Sequence, residues 1–276
     1  MKNLLNQKQM DYNKTQPVVE IYRAIQSEGS KAGIPHIILR TTGCTHRCWF
    51  GEGGWCDSWY TSIHPEKGKF TLSDIKKYFE ENKDINHLML TGGSPSMHPV
   101  LCDEIITLFK EIHAYDKLPV LNWWEKGVVT METEGSHFIQ TKYQIDLISL
   151  SPKFSNSIPK IGIPMPNGKL TEQSLIEQHN KFRLNKEVIE QLLKYHKDYH
   201  FKPVCNPIEQ PKEWEEIEKF RIELNIPKNK TWIMPPGDTK EEIIRVLPTL
   251  IQFCGDNGYC FSGRDHIIAF DKQRGV

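Results

Sequence analysis

No apolar run in the 276 residues approaches the roughly 20 consecutive positions that a membrane-spanning helix needs. The opening segment, MKNLLNQKQMDYNKTQ, lacks the apolar core and small-residue cleavage pattern of a signal peptide, so the expected location is the cytoplasm. Neither sign of charge is in excess, since 35 Lys and Arg balance 35 Asp and Glu. A balanced surface gives no field to attract a polyanion or an anionic bilayer, which speaks against nucleic-acid and membrane partners and for a small-molecule substrate. Repeats and low-complexity tracts are missing too, and with 38% hydrophobic and 25% charged residues the composition is that of a globular chain rather than a disordered or fibrous one. Cysteine is scarce at seven, an odd number, yet three fall at Cys44, Cys48 and Cys56. In a reducing compartment such crowding points to metal binding before disulfides.

Residues 1–16 are polar and read as a flexible N-terminal arm, with a single domain expected over 17–276. The stretch Pro17 to Ile25 alternates as a strand does. Short buried strands are predicted at His36 to Thr41, His87 to Thr91, Val128 to Thr133, Ile145 to Leu150, Tyr199 to Val204 and Thr231 to Met234. Helical spacing lies between them at Thr71 to Asn82, Pro99 to His113, Glu187 to Asp198, Lys212 to Leu224 and Thr239 to Phe253, the first opened by a capping-box pattern in Thr71 and Asp74. This alternation predicts an α/β fold, a partial, open six-stranded parallel β/α barrel with an N-terminal strand extension, since a closed barrel would need eight strands. Residues 154–184, rich in Pro, Asn and Gln, read as an insertion or flap. In such folds ligands bind beyond the carboxyl ends of the strands, and the cysteine loop, TGGSP, ETEG, SPK and MPPGD all follow predicted strands.

Thiolates are soft ligands for zinc or iron–sulfur clusters, and Cys44-Thr-His-Arg-Cys48 … Trp55-Cys56 offers three on one loop. A structural zinc site closes with four ligands, for which His46 or His64 is available, and that reading describes a zinc-stabilised binding module. Three cysteines on a 4Fe-4S cluster instead leave one iron free for a small molecule. S-adenosylmethionine can chelate that iron through its amino and carboxylate groups, where one electron cleaves its S–C bond to give a radical.

The three cysteines after the first parallel strand, with an aromatic residue before the last, resemble those of radical S-adenosylmethionine enzymes. The usual CxxxCxxC spacing is widened between Cys48 and Cys56, where Gly51, Gly53 and Gly54 permit a bulged loop. From about Val18 to Val276 the motifs are similar to those of the 7-carboxy-7-deazaguanine synthase family. Ile25-Gln26-Ser27-Glu28 resembles its substrate-binding segment, with Ser27 in place of Gly. Arg40 stands where the family binds the substrate carboxylate, a planar anion that a guanidinium fork suits. Ser58 stands at the family's magnesium-binding hydroxyl, and hard oxygen donors suit that ion.

The same resemblance makes Thr91 a substrate residue, Gly92 and Gly93 cofactor residues, and Ser94 a replacement for the family's Glu. It assigns Glu132, Ser151, Pro152 and Lys153 to the cofactor and Val276 to the substrate. It implies conversion of 6-carboxy-5,6,7,8-tetrahydropterin to 7-carboxy-7-deazaguanine with loss of ammonia. The implied cofactors are a 4Fe-4S cluster, S-adenosylmethionine and Mg2+, the implied electron source a flavodoxin- or ferredoxin-type reductant, and the implied assembly a homodimer. A glycyl-radical activase of an anaerobic ribonucleotide reductase shares the cluster and the small size, but Gln26, Arg40 and the SPK segment favour the pterin enzyme. Cys102, Cys205, Cys254 and Cys260 read as buried thiols, and Trp123 and Trp124 as core or an interface patch.

Overall fold

The computed structural model describes residues 11–50, 54–113 and 128–276. Residues 1–10 of the expected arm, Gly51 and Gly53, and the Trp123 and Trp124 pair lie outside them. In chain order the elements are β1 (Thr15–Gln16), β2 (Val18–Ile25), β3 (Pro35–Thr41), α1 (Trp59–Ser62), β4 (Phe70–Thr71), α2 (Leu72–Glu81), β5 (His87–Gly92), α3 (Pro99–Ile112), β6 (Val128–Thr133), β7 (Leu147–Leu150), α4 (Gln173–Phe182), α5 (Lys186–Tyr195), β8 (Tyr199–Phe201), α6 (Pro211–Glu223), β9 (Trp232–Ile233), α7 (Lys240–Asn257), β10 (Cys260–Phe261) and α8 (Asp265–Phe270).

One sheet of six strands runs β2-β3-β5-β6-β7-β8, with β2 antiparallel to β3 and every later pair parallel. It is the expected open barrel with its N-terminal extension, built on five parallel strands rather than six. The sixth, β9, joins β8 only through single parallel bridges at Phe201 to Thr231 and Val204 to Met234, and pairs instead with β10. Pro203 explains the gap: its nitrogen has no proton to donate, so only its carbonyl takes part, accepting from the Met234 amide at 3.0 Å. The arm differs at its end as well, where Thr15 and Gln16 pair antiparallel with Thr71 and Phe70. Segment 154–184 holds a short 3-10 turn, an antiparallel bridge between Pro164 and Leu170, and α4.

Strand periodicity places the site. Along β3, Ile37 and Leu39 point into the helix-covered core while Ile38 and Arg40 face a cleft. The same two-residue rhythm buries Leu88 and Leu90 but turns Met89 and Thr91 into the cleft; it buries Met131 but turns in Glu132, and buries Phe201 but turns in Lys202. A one-residue slip would exchange the two sets, so the apolar face that packs on α2, α3, α5 and α6 also fixes which polar groups converge. At the start of α2 the expected capping box forms: the Thr71 hydroxyl accepts from the Asp74 amide at 3.1 Å and Asp74 accepts from the Thr71 amide at 2.8 Å. Thr71→Ala is expected to lower stability by about 1 kcal/mol, read from the urea midpoint with an unchanged slope.

Candidate active site

A cleft of about 210 Å3 lies at the carboxyl ends of the parallel strands and opens to the surface. It brings together nearly every residue singled out above. Ile25, Gln26, Ser27, Glu28, Arg40 and Thr91 line one part. Cys44, Cys48, Cys56, Ser58, Gly92 and Gly93 line another, and Glu132, Ser151, Lys153 and Val276 complete it. Pro152 is buried but does not line the cleft; it sits between two residues that do.

The wide spacing between Cys48 and Cys56 is absorbed by a small hairpin. The Cys56 amide donates to the Cys48 carbonyl at 3.0 Å, Trp49 and Trp55 form an antiparallel bridge, and the Phe50 amide donates to the Gly54 carbonyl at 2.8 Å. The two cysteines are thereby neighbours at the base of a ribbon, and Gly54 carries a positive φ of 74°. The outer side of the hairpin is held by segment 154–184: the Trp49 amide donates to the Ser157 carbonyl at 3.0 Å and Trp55 Nε1 to the Pro164 carbonyl at 2.8 Å.

Burial pushes all three thiols up, Cys56 to about 11 with Asp57 adding to the effect, so a bound metal is what would hold them as thiolates at neutral pH. Four ligands around one zinc place sulfurs about 3.8 Å apart. The three sulfurs do not all lie within 4.8 Å of one another; the three metal-ligating atoms that do so among the described residues belong to Cys44, His46 and Glu134. Soft donors spread around one end of the cleft suit a polynuclear iron–sulfur cluster better than a single zinc ion. His64, the other proposed zinc ligand, is exposed.

A chain of ion pairs runs through the rest of the cleft. Lys202, 3% exposed, donates to Glu132 at 2.6 Å and to Glu28, and Thr91 donates to the other Glu132 oxygen at 2.6 Å. Arg264 reaches Glu28 at 3.3 Å, Asp57 and the Gly237 carbonyl. Burial opposes the charge on Glu28, but Lys202, Arg264 and His266 outweigh it and lower its pKa to about 2. Burial likewise opposes the charge on Lys202, which Glu132 and Glu28 more than restore, raising its pKa. Arg40 donates from Nε to Glu20 at 3.0 Å, from Nη1 to the Ser58 hydroxyl at 3.1 Å and from Nη2 to the Tyr22 hydroxyl at 3.3 Å. Arg274 binds the other oxygen of Glu20 and also Glu66, each at 2.8 Å, and stacks on Tyr60, which anchors the segment that carries Val276 to the cleft.

Sequence reasoning missed Asp57, Glu134, Lys202, Arg264 and His266, all of which line the cleft. The alternation of β8 carried a signal for Lys202, two positions after the inward-facing His200. No local pattern marked Arg264 or His266, which sit at a loop end and in a short helix.

An open barrel with five parallel strands carries three cysteines on the loop after its first parallel strand, at the edge of the cleft. The chain is similar along most of its length to 7-carboxy-7-deazaguanine synthases. The synthase of Halobacterium salinarum is 28% identical over 261 residues, which span 92% of this chain and 90% of the relative. That of Rhodopirellula baltica is 27% identical over 259 residues, 94% and 88% of the two chains. The solved structure of QueE from Escherichia coli shares the fold, with a TM-score of 0.54 over 90% of this chain and 93% of that one, at 15% identity. No family model matches the chain.

Proposed function

We propose that the chain is a carbon–nitrogen lyase that converts 6-carboxy-5,6,7,8-tetrahydropterin to 7-carboxy-7-deazaguanine with loss of ammonia, in deazapurine biosynthesis. The observation that carries this reading is the convergence, in one cleft, of the three cysteines with the Gln26 to Glu28 segment and Arg40. When bound at the cluster and reduced by one electron, S-adenosylmethionine supplies hydrogen-atom abstraction from unreactive carbon. The protein's part is to place the substrate and keep water out.

Arg40 is prepared for a carboxylate. Glu20 holds its Nε, which fixes the guanidinium plane, while the two Nη groups rest on the exchangeable hydroxyls of Ser58 and Tyr22. Glu28 suits the hydrogen-bond-donating edge of a pterin and Glu132 a donor group of the cofactor, and Lys202, held between them, favours the ionised form of both carboxylates. Ser151 and Lys153, joined at 2.9 Å, face the cleft from the end of β7, where they suit the cofactor's carboxylate. Met89 and Ile38 supply the apolar wall.

The Ser58 hydroxyl and the Asp57 carboxylate lie 3.1 Å apart and form a hard-oxygen donor pair that fits Mg2+, once a substrate carboxylate draws Arg40 away from Ser58. Electrons would come from a flavodoxin or ferredoxin, and the working form would be a cytoplasmic homodimer.

Anaerobic turnover of the pterin by reconstituted protein tests the assignment: carboxydeazaguanine should accumulate, and its absence with an intact cluster rejects the reading. Arg40→Lys is expected to lower kcat/KM for the pterin about tenfold or more while leaving the cluster absorbance unchanged, because an ammonium cannot reproduce a two-point carboxylate contact. Loss of the cluster absorbance in that variant would make Arg40 a structural residue instead.

A further inference from the structure

Glu134, one residue past the end of β6, is unexplained by the contacts described so far. Its side chain is only 6% exposed, yet it lines the cleft at the cysteine end. Its Oε1 accepts from the Ser94 hydroxyl at 2.6 Å and from the Ser136 hydroxyl, and it lies 4.0 Å from His46 Nδ1. Its Oε2 has no hydrogen-bond partner among the described residues, and the side chain lines the cleft. No lysine or arginine among the described residues pairs with it. A carboxylate oxygen of Glu134 also lies within 4.8 Å of the Cys44 sulfur.

This placement is costly by itself. A buried carboxylate next to a thiolate that is to carry an anionic cluster is repelled by it, and a buried charge is tolerated when a partner of opposite sign completes the site. Among the described residues no lysine or arginine supplies that partner, which leaves the role to a ligand. Of the molecules the cleft is proposed to hold, S-adenosylmethionine brings the positive charge, and its amino group is the part able to donate charge-assisted hydrogen bonds to an oxygen.

From these contacts we infer that Glu134 binds the ammonium group of the cofactor's amino-acid end, with Ser94 and Ser136 as positioning residues that aim Oε2 at it. Ser94 makes the arrangement possible. It is fully buried at the end of the TGGSP turn, in the position where the resembling family carries Glu, and its short side chain leaves room for a carboxylate delivered from the neighbouring strand. The charge at this corner of the cleft therefore comes from β6 rather than from the loop after β5.

The inference rests on the proposed function, and its test separates the two. Reconstituted 4Fe-4S protein, reduced under anaerobic conditions, is titrated with S-adenosylmethionine while the electron paramagnetic resonance signal of the cluster is followed. Wild-type protein should show a saturable change in the signal; if it shows none, the proposed function fails. If it does, Glu134→Gln should keep its iron, sulfide and signal but need about ten- to hundredfold more cofactor for half-saturation, the range for losing a hydrogen bond to a charged group. Unchanged half-saturation overturns the role of Glu134 and leaves the proposed function standing. Loss of the cluster in Glu134→Gln would make Glu134 a support of the cysteines and also overturns it. Ser94→Ala, which keeps the carboxylate and removes one group that aims it, should give a smaller shift of about threefold. A larger shift from Ser94→Ala than from Glu134→Gln contradicts the assigned order of roles.

Discussion

Lys202→Met is expected to destabilise the protein by about 3–5 kcal/mol at pH 8, a large share of the roughly 5–15 kcal/mol that holds a typical domain together. Methionine keeps the length and apolar stem of lysine but removes the charge that separates Glu28 from Glu132. Glu28 retains Arg264 at 3.3 Å, whereas among the described residues Glu132 keeps only the Thr91 hydroxyl as a hydrogen-bond partner. Glu132 is therefore the orphaned charge. The sign of the pH dependence follows. In the wild type, Glu28 is held at about 2 and Glu132 is also lowered, so their contribution to stability is present above the unfolded carboxylate pKa of about 4.5 and is lost as the pH falls toward 2. In the variant the folded pKa of Glu132 moves upward, proton uptake relieves the half-buried charge, and the penalty should shrink between pH 8 and pH 5. Urea midpoints at the two values measure it. A penalty independent of pH would mean lost packing alone, and Lys202→Met combined with Glu132→Gln should recover much of the loss because no unpaired charge remains.

The parts of this architecture that were legible in the sequence are those governed by local physics. The bounds of β6 and the start of α2 follow from residue alternation and from a capping pair three residues apart. The cysteine loop was recognisable because its ligands are chemically distinctive wherever the chain places them. Illegible parts depend on distant partners. Arg264 makes its contacts with Asp57 and Glu28 across 207 and 236 residues, and nothing around position 264 announces either. Segment 154–184 concealed α4, since its Pro- and Asn-rich surroundings obscure a ten-residue helix. The widened cysteine spacing reads as a disturbance of the motif because a sequence shows residues inserted but not the bridge between Trp49 and Trp55 that keeps Cys48 and Cys56 neighbours. The exchange of carboxylates between the loops after β5 and β6 was half legible: Ser94 was visible as a departure from the family pattern, but only adjacency of the two strands shows that Glu134 reaches its hydroxyl.

Gly93→Ala should cost the protein most of its cluster. A Cβ at this position would stand 2.1 Å from the Gly43 carbonyl oxygen, 2.7 Å from its carbon and 2.8 Å from the Thr61 carbonyl oxygen. All three are backbone atoms, and two of them belong to the residue immediately before Cys44. The same carbonyl of Gly43 accepts from the Ser94 amide at 2.7 Å, while the Gly43 amide donates to Thr61 at 2.7 Å. The TGGSP turn, the start of the cysteine loop and α1 are thus locked together at a point where no side chain fits. Overlap of this depth cannot be relieved by turning a rotamer; the cysteine loop must move away from the turn, carrying Cys44 with it. Iron and sulfide after reconstitution should fall well below the wild-type content, with the brown absorbance lost in proportion. Gly255→Ala is the internal control. It lies within α7 with nothing inside 4 Å of the added methyl group and should raise stability by about 0.5–1 kcal/mol with full cluster content. Full cluster content in Gly93→Ala would show that the close approach of the two loops is not what positions Cys44.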